Sequence, residues 1–379
     1  LSIQLQLLGV SFFILAAMIC IFSRRAKRES MTLFEMLWSG AALCSFIAAI
    51  IAGNGFVFSM TLVSSAVFIS VAIIRRSMSF EELAKICAYT FCIIIPIALL
   101  VDFSGYLSGI SGEGAYGIGL LRFSPLGLHP NLTGFIFGFG TLLNLYFFHK
   151  TLTSKRFVFL GASFLCLTFV MAASSRAGLL AIFGAILIAY SLRFQFEIKV
   201  KHLRTIKIAL FSSFILIPVF IYSFPDIAVY IEKIIDLNSE TRGISSGGTG
   251  RVDLWLLSVH EIQNRGFFEL LFGSGFRSSS KGLIGYSTES SYFTLILENG
   301  LMLTLLFIPL CFIWGVAQLR NAPDIKNVRF LIGTLIVFVF IQSVFNRYMV
   351  AFGNPVSLLI LVAYFGARDF GKISNRGRD

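Results

Sequence analysis

The sequence contains few charged residues. Only 13% of its 379 residues are Asp, Glu, Lys or Arg, whereas a soluble domain carries about 25%. Hydrophobic residues make up 56% of the chain, and the mean hydropathy is +0.85. This composition excludes a disordered chain and argues strongly against a soluble enzyme.

Metal-ligand patterns and internal repeats are also missing. No group of His, Cys and acidic residues has the spacing of a metal site, so neither a metal nor another cofactor is expected. No repeat of solenoid length occurs. The cysteines all lie in or beside apolar runs, which predicts free, packed thiols rather than disulfides. They are Cys20, Cys44, Cys87, Cys92, Cys166 and Cys311.

Long apolar runs dominate what is present. Each is near the length that crosses a bilayer as a helix. The sequence therefore predicts an all-α, polytopic membrane helical bundle with about eleven transmembrane helices. The predicted spans are about 3–22, 32–52, 56–74, 85–103, 131–149, 157–174, 177–192, 206–223, 291–317, 329–345 and 348–366.

The basic residues assign a side to each connection. With the first connection in the cytoplasm and strict alternation, 22 of the 31 Lys and Arg residues are cytoplasmic and nine are outside. This is the bias of the positive-inside rule, and it predicts a cytoplasmic C-terminus. The net charge of +12 is thereby explained as an orientation signal. It gives no support to nucleic-acid binding.

The predicted topology divides the chain into three parts. Residues 1–223 hold the first eight spans and an outer loop at about 104–130. Residues 224–290 form a large extracytoplasmic loop, and 291–379 hold the last three spans and a basic cytoplasmic tail.

The large loop contains patterns of its own. An amphipathic piece is predicted at Ile227–Leu237, and an amphipathic helix at Arg251–Gln263. A flexible tract over 245–250 precedes that helix, with Thr249 as a weak cap. Gly273-Ser274-Gly275 predicts a turn.

Arginine is enriched outside, where seven of the nine basic residues are Arg. Its planar fork suits bidentate contact with phosphate, although a single outer Arg is often a solvated or snorkelling side chain. Arg176 differs because it lies in a tight break between two apolar runs, Ala172 to Gly178. A charge in such a turn usually has a function; the alternative is a hairpin cap at headgroup level.

Two further charged residues stand at helix starts. Arg251 opens the predicted loop helix, and Glu289 precedes the ninth span. The alternative for Glu289 is an acid that the helix dipole favours at a helix N-terminus.

The order of these motifs resembles that of the O-antigen polymerase and ligase superfamily, polytopic bacterial membrane enzymes with a GT-C-like fold. The resemblance is strongest over about 120–305. The motifs that carry it are Leu128-His129-Pro130-Asn131, Ser175-Arg176-Ala177-Gly178, Gly250-Arg251 with Trp255, Gly273-Ser274-Gly275, Glu289-Ser290-Ser291-Tyr292, and Glu298-Asn299-Gly300.

The resemblance implies a location and partners. The protein is expected in the bacterial inner (plasma) membrane with its active site facing the periplasm or exterior. Its expected partners are the bilayer and an undecaprenyl-diphosphate-linked oligosaccharide donor and acceptor, with room for a chain-length regulator. The reaction it implies is glycosyl transfer, and arginines rather than a metal would stabilise the departing diphosphate.

The resemblance also implies roles for single residues. Arginines that hold the diphosphate correspond to Arg176 and Arg251. The ligases carry His-Asn-x-Tyr where this chain has Glu289-Ser290-Ser291-Tyr292. Glu289 therefore favours a polymerase, in which its carboxylate is the candidate general base for the acceptor hydroxyl.

A second group of residues is assigned to substrate binding. Arg122, Arg277 and Arg347 are candidates for contact with diphosphate or an anionic sugar. His129 and Tyr292 are candidates for positioning either substrate, although a helix start before Pro130 is the simpler interpretation of His129. Trp255 either stacks on a sugar ring or packs its helix, and packing is the more common role of an aromatic residue on an amphipathic helix.

Three other functions fit the spans. A ligase would transfer the glycan to a lipid A core acceptor. A polysaccharide flippase or other transporter often shows internal repeats with broken helices at the midplane, and no such symmetry is found. A non-catalytic scaffold explains the spans but not the outer Arg and Glu residues.

Overall fold

The computed structural model describes residues 11, 14–20, 31–111, 123–125, 128–197, 247–279, 288–349 and 354–365. Within these ranges all regular secondary structure is helical, which confirms the all-α class. In chain order the helices are α1 Leu33–Ile51, α2 Gly55–Ser77, α3 Phe80–Val101, α4 Phe103–Ser111, α5 Pro130–Lys150, α6 Arg156–Ala172, α7 Arg176–Glu197, α8 Gly247–Gln263, α9 Phe267–Phe272, α10 Ser291–Arg320, α11 Val328–Phe345 and α12 Pro355–Phe365.

Six of the described helices are long and apolar enough to cross a membrane. They are α1, α2, α3, α5, α10 and α11. The chain is therefore a multi-pass membrane protein, but the described ranges do not reach the predicted number of eleven spans. Three predicted spans correspond to the shorter apolar helices α6, α7 and α12. The predicted spans at 3–22 and 206–223 lie mostly or wholly outside the described residues, as does the piece at Ile227–Leu237.

Local sequence determines where several helices begin. Thr32 and Glu35 form a capping box at the start of α1, in which each side chain binds the other's main-chain N–H. The Asn54 side chain accepts the N–H groups of Phe56 and Val57 in the first turn of α2. Pro130 occupies the first turn of α5, where its missing N–H costs nothing.

Helix α8 begins earlier than predicted. It starts at Gly247, so Thr249 lies within the first turn rather than before it, and 247–250 are helical rather than a flexible tract. Glycine weakens a helix by only about 1 kcal/mol per residue, so it does not prevent an extra turn. The predicted helix through Gln263 is otherwise confirmed.

The described residues belong to two compact units. The first unit draws on Leu1–Thr90, Gly250–Gly315 and Val339–Asp379, and the second on Phe91–Thr249 and Val316–Phe338. The units interleave along the sequence, and α3, α8, α10 and α11 contribute residues to both.

Aromatic residues build the core of the first unit. Trp38 on α1 stacks on Phe68 of α2 at a centroid distance of 4.8 Å, and meets Phe307 of α10 edge-on at 5.0 Å. Phe276, from the segment between α9 and α10, also stacks on Trp38, at 6.2 Å. The loop is thus tied to the helices by a side chain that enters their core.

The second unit is built around α5, which packs along α6 and α7. Phe123, Phe137 and Phe169 form its aromatic centre, with the rings of Phe123 and Phe169 at 4.6 Å and those of Phe137 and Phe169 at 4.8 Å. All three are buried. The prediction of no disulfides also holds, because none of the six cysteines, which all lie in the described ranges, is disulfide-bonded, and Cys166 and Cys311 are buried.

Candidate functional site

The turn that carries Arg176 lies between α6 and α7 in the second unit. Helix α6 ends at Ala172 and α7 begins at Arg176. Ser174, between them, has a φ of +47°. This left-handed conformation is uncommon for residues with a side chain. Arg176 itself is half-buried at the first position of its helix. The predicted break in the chain is confirmed as a tight turn.

Small residues allow this turn to pack closely against its neighbours. A Cβ atom on Gly134 of α5 would overlap the Ser175 side chain. One on Gly109 of α4 would overlap the Ala172 carbonyl. Close approach at two positions fixes the backbone that presents Arg176, as expected of small residues at helix contacts.

His129 lies at the start of α5 in the same unit. Its Nδ1 accepts a hydrogen bond from the Asn131 N–H at 3.2 Å, so the helix-start role expected of His129 is confirmed. The chain just before it is anchored by Asp102, whose carboxylate accepts the N–H groups of Ser124 at 2.7 Å and Gly105 at 3.2 Å.

Arg251 belongs to the first unit. It is half-buried on α8, and its guanidinium carbon lies 5.9 Å from the centre of the Phe345 ring. This distance allows a cation–π contact. Trp255 follows one turn later, half-buried, with an indole N–H that has no hydrogen-bond partner among the described residues.

The segment Glu289-Ser290-Ser291-Tyr292 is bonded to the end of α11 and the chain that follows it. The Ser291 hydroxyl donates to the Asn346 carbonyl at 2.6 Å and accepts the Met349 N–H at 3.1 Å. The Tyr292 hydroxyl donates to the Phe340 carbonyl at 2.8 Å. These bonds bring Glu289 to the segment that contains Arg347 and Tyr348, and they occupy the hydroxyl of Tyr292.

Tyr348 follows Arg347 in this segment and interacts electrostatically with Glu289, Arg347 and Arg251. Burial raises the pKa of its phenol to about 12, and the Glu289 carboxylate contributes in the same direction. Arg347 and Arg251 act in the opposite direction on the same pKa. One phenol therefore interacts electrostatically with residues of three separate segments. At neutral pH it stays protonated and can donate a hydrogen bond.

Glu298 is the second centre of charge in this unit. It is a buried residue of α10, and its carboxyl accepts hydrogen bonds from the Ser279 hydroxyl and the Arg277 main-chain N–H. The guanidiniums of Arg277 and Arg347 both interact with it electrostatically. Burial lowers the pKa of Arg277, Glu298 opposes this shift, and Arg347 adds to it.

A small polar cavity adjoins Glu298. Its volume of about 20 Å³ is enough for roughly one water molecule. The lining residues are Phe276, Ser291, Thr294, Leu295, Glu298, Asn299 and Arg347. Arg347 thus reaches the Glu298 cavity on one side and interacts with Tyr348 on the other.

A break in α10 explains two of the glycine motifs. Gly300 has a φ of +79° and a ψ of 166°, so the helix predicted to be continuous is interrupted there. The freed carbonyls of Leu297 and Glu298 accept the N–H groups of Ser274 at 3.0 Å and Gly275 at 2.9 Å. The turn predicted at 273–275 is confirmed, and its partner is the break in α10.

Two bonds outside the turn reinforce this attachment. The Arg265 guanidinium donates to the Leu297 carbonyl at 2.7 Å. The Ser45 hydroxyl oxygen accepts the Phe276 N–H at 2.7 Å. The segment 265–276 is therefore attached by hydrogen bonds to both α10 and α1, which carries Ser45.

Five predicted site residues belong to the first unit: Arg251, Arg277, Glu289, Tyr292 and Arg347. Arg176 and His129 belong to the second unit. Arg122 lies outside the described residues. Left-handed backbone marks Arg277, with a φ of +65°, and Glu289, with a φ of +49°. Such conformations are costly and often accompany functional sites.

Sequence reasoning did not assign roles to Tyr348 or Glu298. Glu298 was visible only as part of a glycine motif, and Tyr348 only as the neighbour of Arg347. A carboxylate inside an apolar run is itself a signal for a functional residue, and it could have singled out Glu298.

Among the described residues, no three His, Cys, Asp or Glu side chains are grouped so that they could hold a metal ion. The chain matches no protein-family model, no curated protein and no solved structure.

Proposed function

We propose that this membrane protein is a polysaccharide polymerase of the O-antigen or capsule type. It transfers a growing glycan from undecaprenyl diphosphate onto a lipid-linked repeat unit at the outer face of the bacterial plasma membrane. The observation that carries the proposal is the cluster of Arg251, Arg347, Glu289 and Tyr348, drawn from three segments of a membrane-spanning unit.

The arginines bind the donor diphosphate. Negative charge grows on the diphosphate as its bond to the sugar breaks, and preorganised cations stabilise that charge. In the proposal Arg251 grips the diphosphate, and Arg347 and Arg277 of the same unit assist. The Tyr348 phenol adds a neutral hydrogen-bond donor, because its raised pKa keeps the proton in place. With guanidiniums in this role, the reaction needs no divalent metal.

Glu289 is the proposed general base. It accepts the proton of an acceptor hydroxyl as that oxygen attacks the anomeric carbon of the donor sugar. The new glycosidic C–O bond forms, the bond from the anomeric carbon to the diphosphate oxygen breaks, and undecaprenyl diphosphate departs with the electron pair. The left-handed backbone at Glu289 supports a role that outweighs its local strain.

A complementation experiment tests the proposal. The chromosomal copy is deleted in the native host and restored as wild type, Arg251→Ala, Arg347→Ala or Glu289→Gln. Surface polysaccharide is then resolved by length, and the membrane level of each variant is measured. We expect the deletion to leave single repeats only, and each variant to fail to restore the ladder.

Two exposed residues supply matched controls. Glu269→Gln makes the same chemical change as Glu289→Gln on α9 of the same unit, and Arg156→Ala removes an exposed arginine at the start of α6. Both should restore the full ladder. A normal ladder from well-expressed Glu289→Gln would refute its assignment as base. Loss of all attached glycan in the deletion strain would favour a ligase or a flippase instead.

A further inference from the structure

Glu298 is a buried acid that the proposed reaction does not use. It lies two residues before the break at Gly300 and is 7% exposed. A carboxyl at such depth in an apolar helix is costly unless it is bonded, and most such residues have a function. It interacts electrostatically with the guanidiniums of Arg277 and Arg347.

The contacts of Glu298 fix its own position first. The Ser279 hydroxyl and the Arg277 N–H donate to its carboxyl, and its main-chain carbonyl accepts the Gly275 N–H at 2.9 Å. The side chain and the backbone of Glu298 are thus both held by the segment 275–279. A carboxyl anchored on two sides can in turn fix the groups that it attracts.

The groups that it attracts are the guanidiniums of Arg277 and Arg347. The two repel one another, since each carries a positive charge, and Glu298 supplies the opposite charge beside both. Arg347 shares the small cavity with Glu298. Coulomb forces at such partly dry positions are much stronger than in water, so the carboxyl has a large influence on where these side chains rest.

We infer that Glu298 is a positioning residue for the anion site: its buried carboxyl holds the Arg277 and Arg347 guanidiniums in the geometry that binds a lipid-linked diphosphate. The inference rests on the proposed function for its ligand class, but not for its chemistry, because binding can be measured without turnover. Glu298 is not the base and does not touch the reacting atoms.

The direction of the effect separates positioning from simple charge. If the carboxylate only opposed the bound anion, its removal would tighten binding, because the net positive charge of the site would rise. If it positions the arginines, its removal weakens binding despite that rise. Residues that orient the ligands of a metal ion typically change metal affinity by about 10- to 100-fold when they are mutated. Taking the lower end of that range for an anion site, we expect Glu298→Gln to weaken diphosphate binding about tenfold.

The experiment is a double-mutant cycle on diphosphate binding. Wild type, Glu298→Gln, Arg347→Gln and the double variant are purified in detergent. Each is titrated with geranylgeranyl diphosphate by isothermal calorimetry. A residue that acts through Arg347 has little left to do once Arg347 is gone. The tenfold effect of Glu298→Gln should therefore be clearly smaller in the Arg347→Gln background, where only the part that acts through Arg277 remains.

Two milder variants cover a failure of Glu298→Gln to fold. Ser279→Ala removes one hydrogen bond to the carboxyl, and Glu298→Asp keeps the charge on a shorter side chain. Ser279→Ala should weaken binding more in wild type than in Arg347→Gln, and Glu298→Asp should bind better than Glu298→Gln. The exposed control Glu269→Gln should bind as wild type does.

Each outcome has a defined meaning. Tighter binding by Glu298→Gln, an equal effect in both backgrounds, or no binding by wild type would overturn the inference. Glu298-dependent binding by a wild-type protein that polymerises no repeat units would leave the inference standing and refute the proposed function. Polymerisation by a protein whose diphosphate affinity is unchanged in Glu298→Gln would support the proposed function and refute the inference.

Discussion

Replacing Gly300 with alanine tests the break in α10, whose neighbouring carbonyls bind the turn at 273–275. Gly300 has a φ of +79° and a ψ of 166°, a combination that is essentially restricted to glycine. A Cβ atom at this position would overlap the main-chain carbonyl of Leu271. Either the backbone of α9 must shift or Gly300 must adopt another conformation.

The expected cost follows from two terms. Forcing a side chain into such a conformation costs about 1–3 kcal/mol, and relieving an overlap in a packed region costs about another 1–3 kcal/mol. Any shift also lengthens the bonds from Ser274 and Gly275 to the carbonyls of α10, now 3.0 and 2.9 Å. We expect Gly300→Ala to lower the free energy of unfolding by about 2–6 kcal/mol.

Thermal unfolding in detergent, followed by size-exclusion chromatography, measures this effect. Gly40→Ala is the matched control, because Gly40 lies within α1 and no atom is within 4 Å of an added Cβ. There alanine should stabilise the helix by up to about 1 kcal/mol. The reasoning is refuted if Gly300→Ala melts at or above the wild-type temperature.

Three further predictions concern single contacts. Burial raises the pKa of Tyr348 from 10 to about 12. The protonated phenol therefore stabilises the fold fully below pH 10, and this stability is lost as the pH rises towards 12. In thermal melts between pH 10 and 12, Tyr348→Phe should lose less stability with rising pH than the wild type does. Ser45→Ala leaves the buried N–H of Phe276 without its 2.7 Å partner and should cost about 1–3 kcal/mol in denaturant titrations. Gly134→Ala overlaps the Ser175 side chain and should shorten the polysaccharide ladder, which an unchanged ladder would contradict.

Hydropathy predicted the helices well where the apolar run and the helix coincide. The predicted span at 329–345 corresponds to α11 at Val328–Phe345, and that at 131–149 to α5 at Pro130–Lys150. Burial of apolar side chains in lipid depends on local composition, so a window on the sequence detects it. The same window missed the break at Gly300. The carbonyls of Leu297 and Glu298 that the break frees are hydrogen-bonded by Ser274 and Gly275, which are distant in sequence.

The candidate site was predicted as separate residues rather than as a cluster. Motif order indicated Arg251 and Glu289, and the predicted topology added Arg347 as an outside arginine, but neither gave a reason for the three residues to meet. Their meeting depends on long-range bonds such as that from the Ser291 hydroxyl to the Asn346 carbonyl. Periodicity carries no information about such pairings, so the roles of Tyr348 and Glu298 could not be assigned beforehand.

The sequence by itself determined that this is an all-helical membrane protein, because the free energy of placing each run in lipid is a sum over its own residues. It also determined the starts of helices, through caps such as Thr32 and His129. Only the tertiary structure decided that the glycine turn closes on the break in α10 and that Glu298 lies beside two arginines. Those arrangements arise from contacts between distant segments, whose free energy no single segment contains.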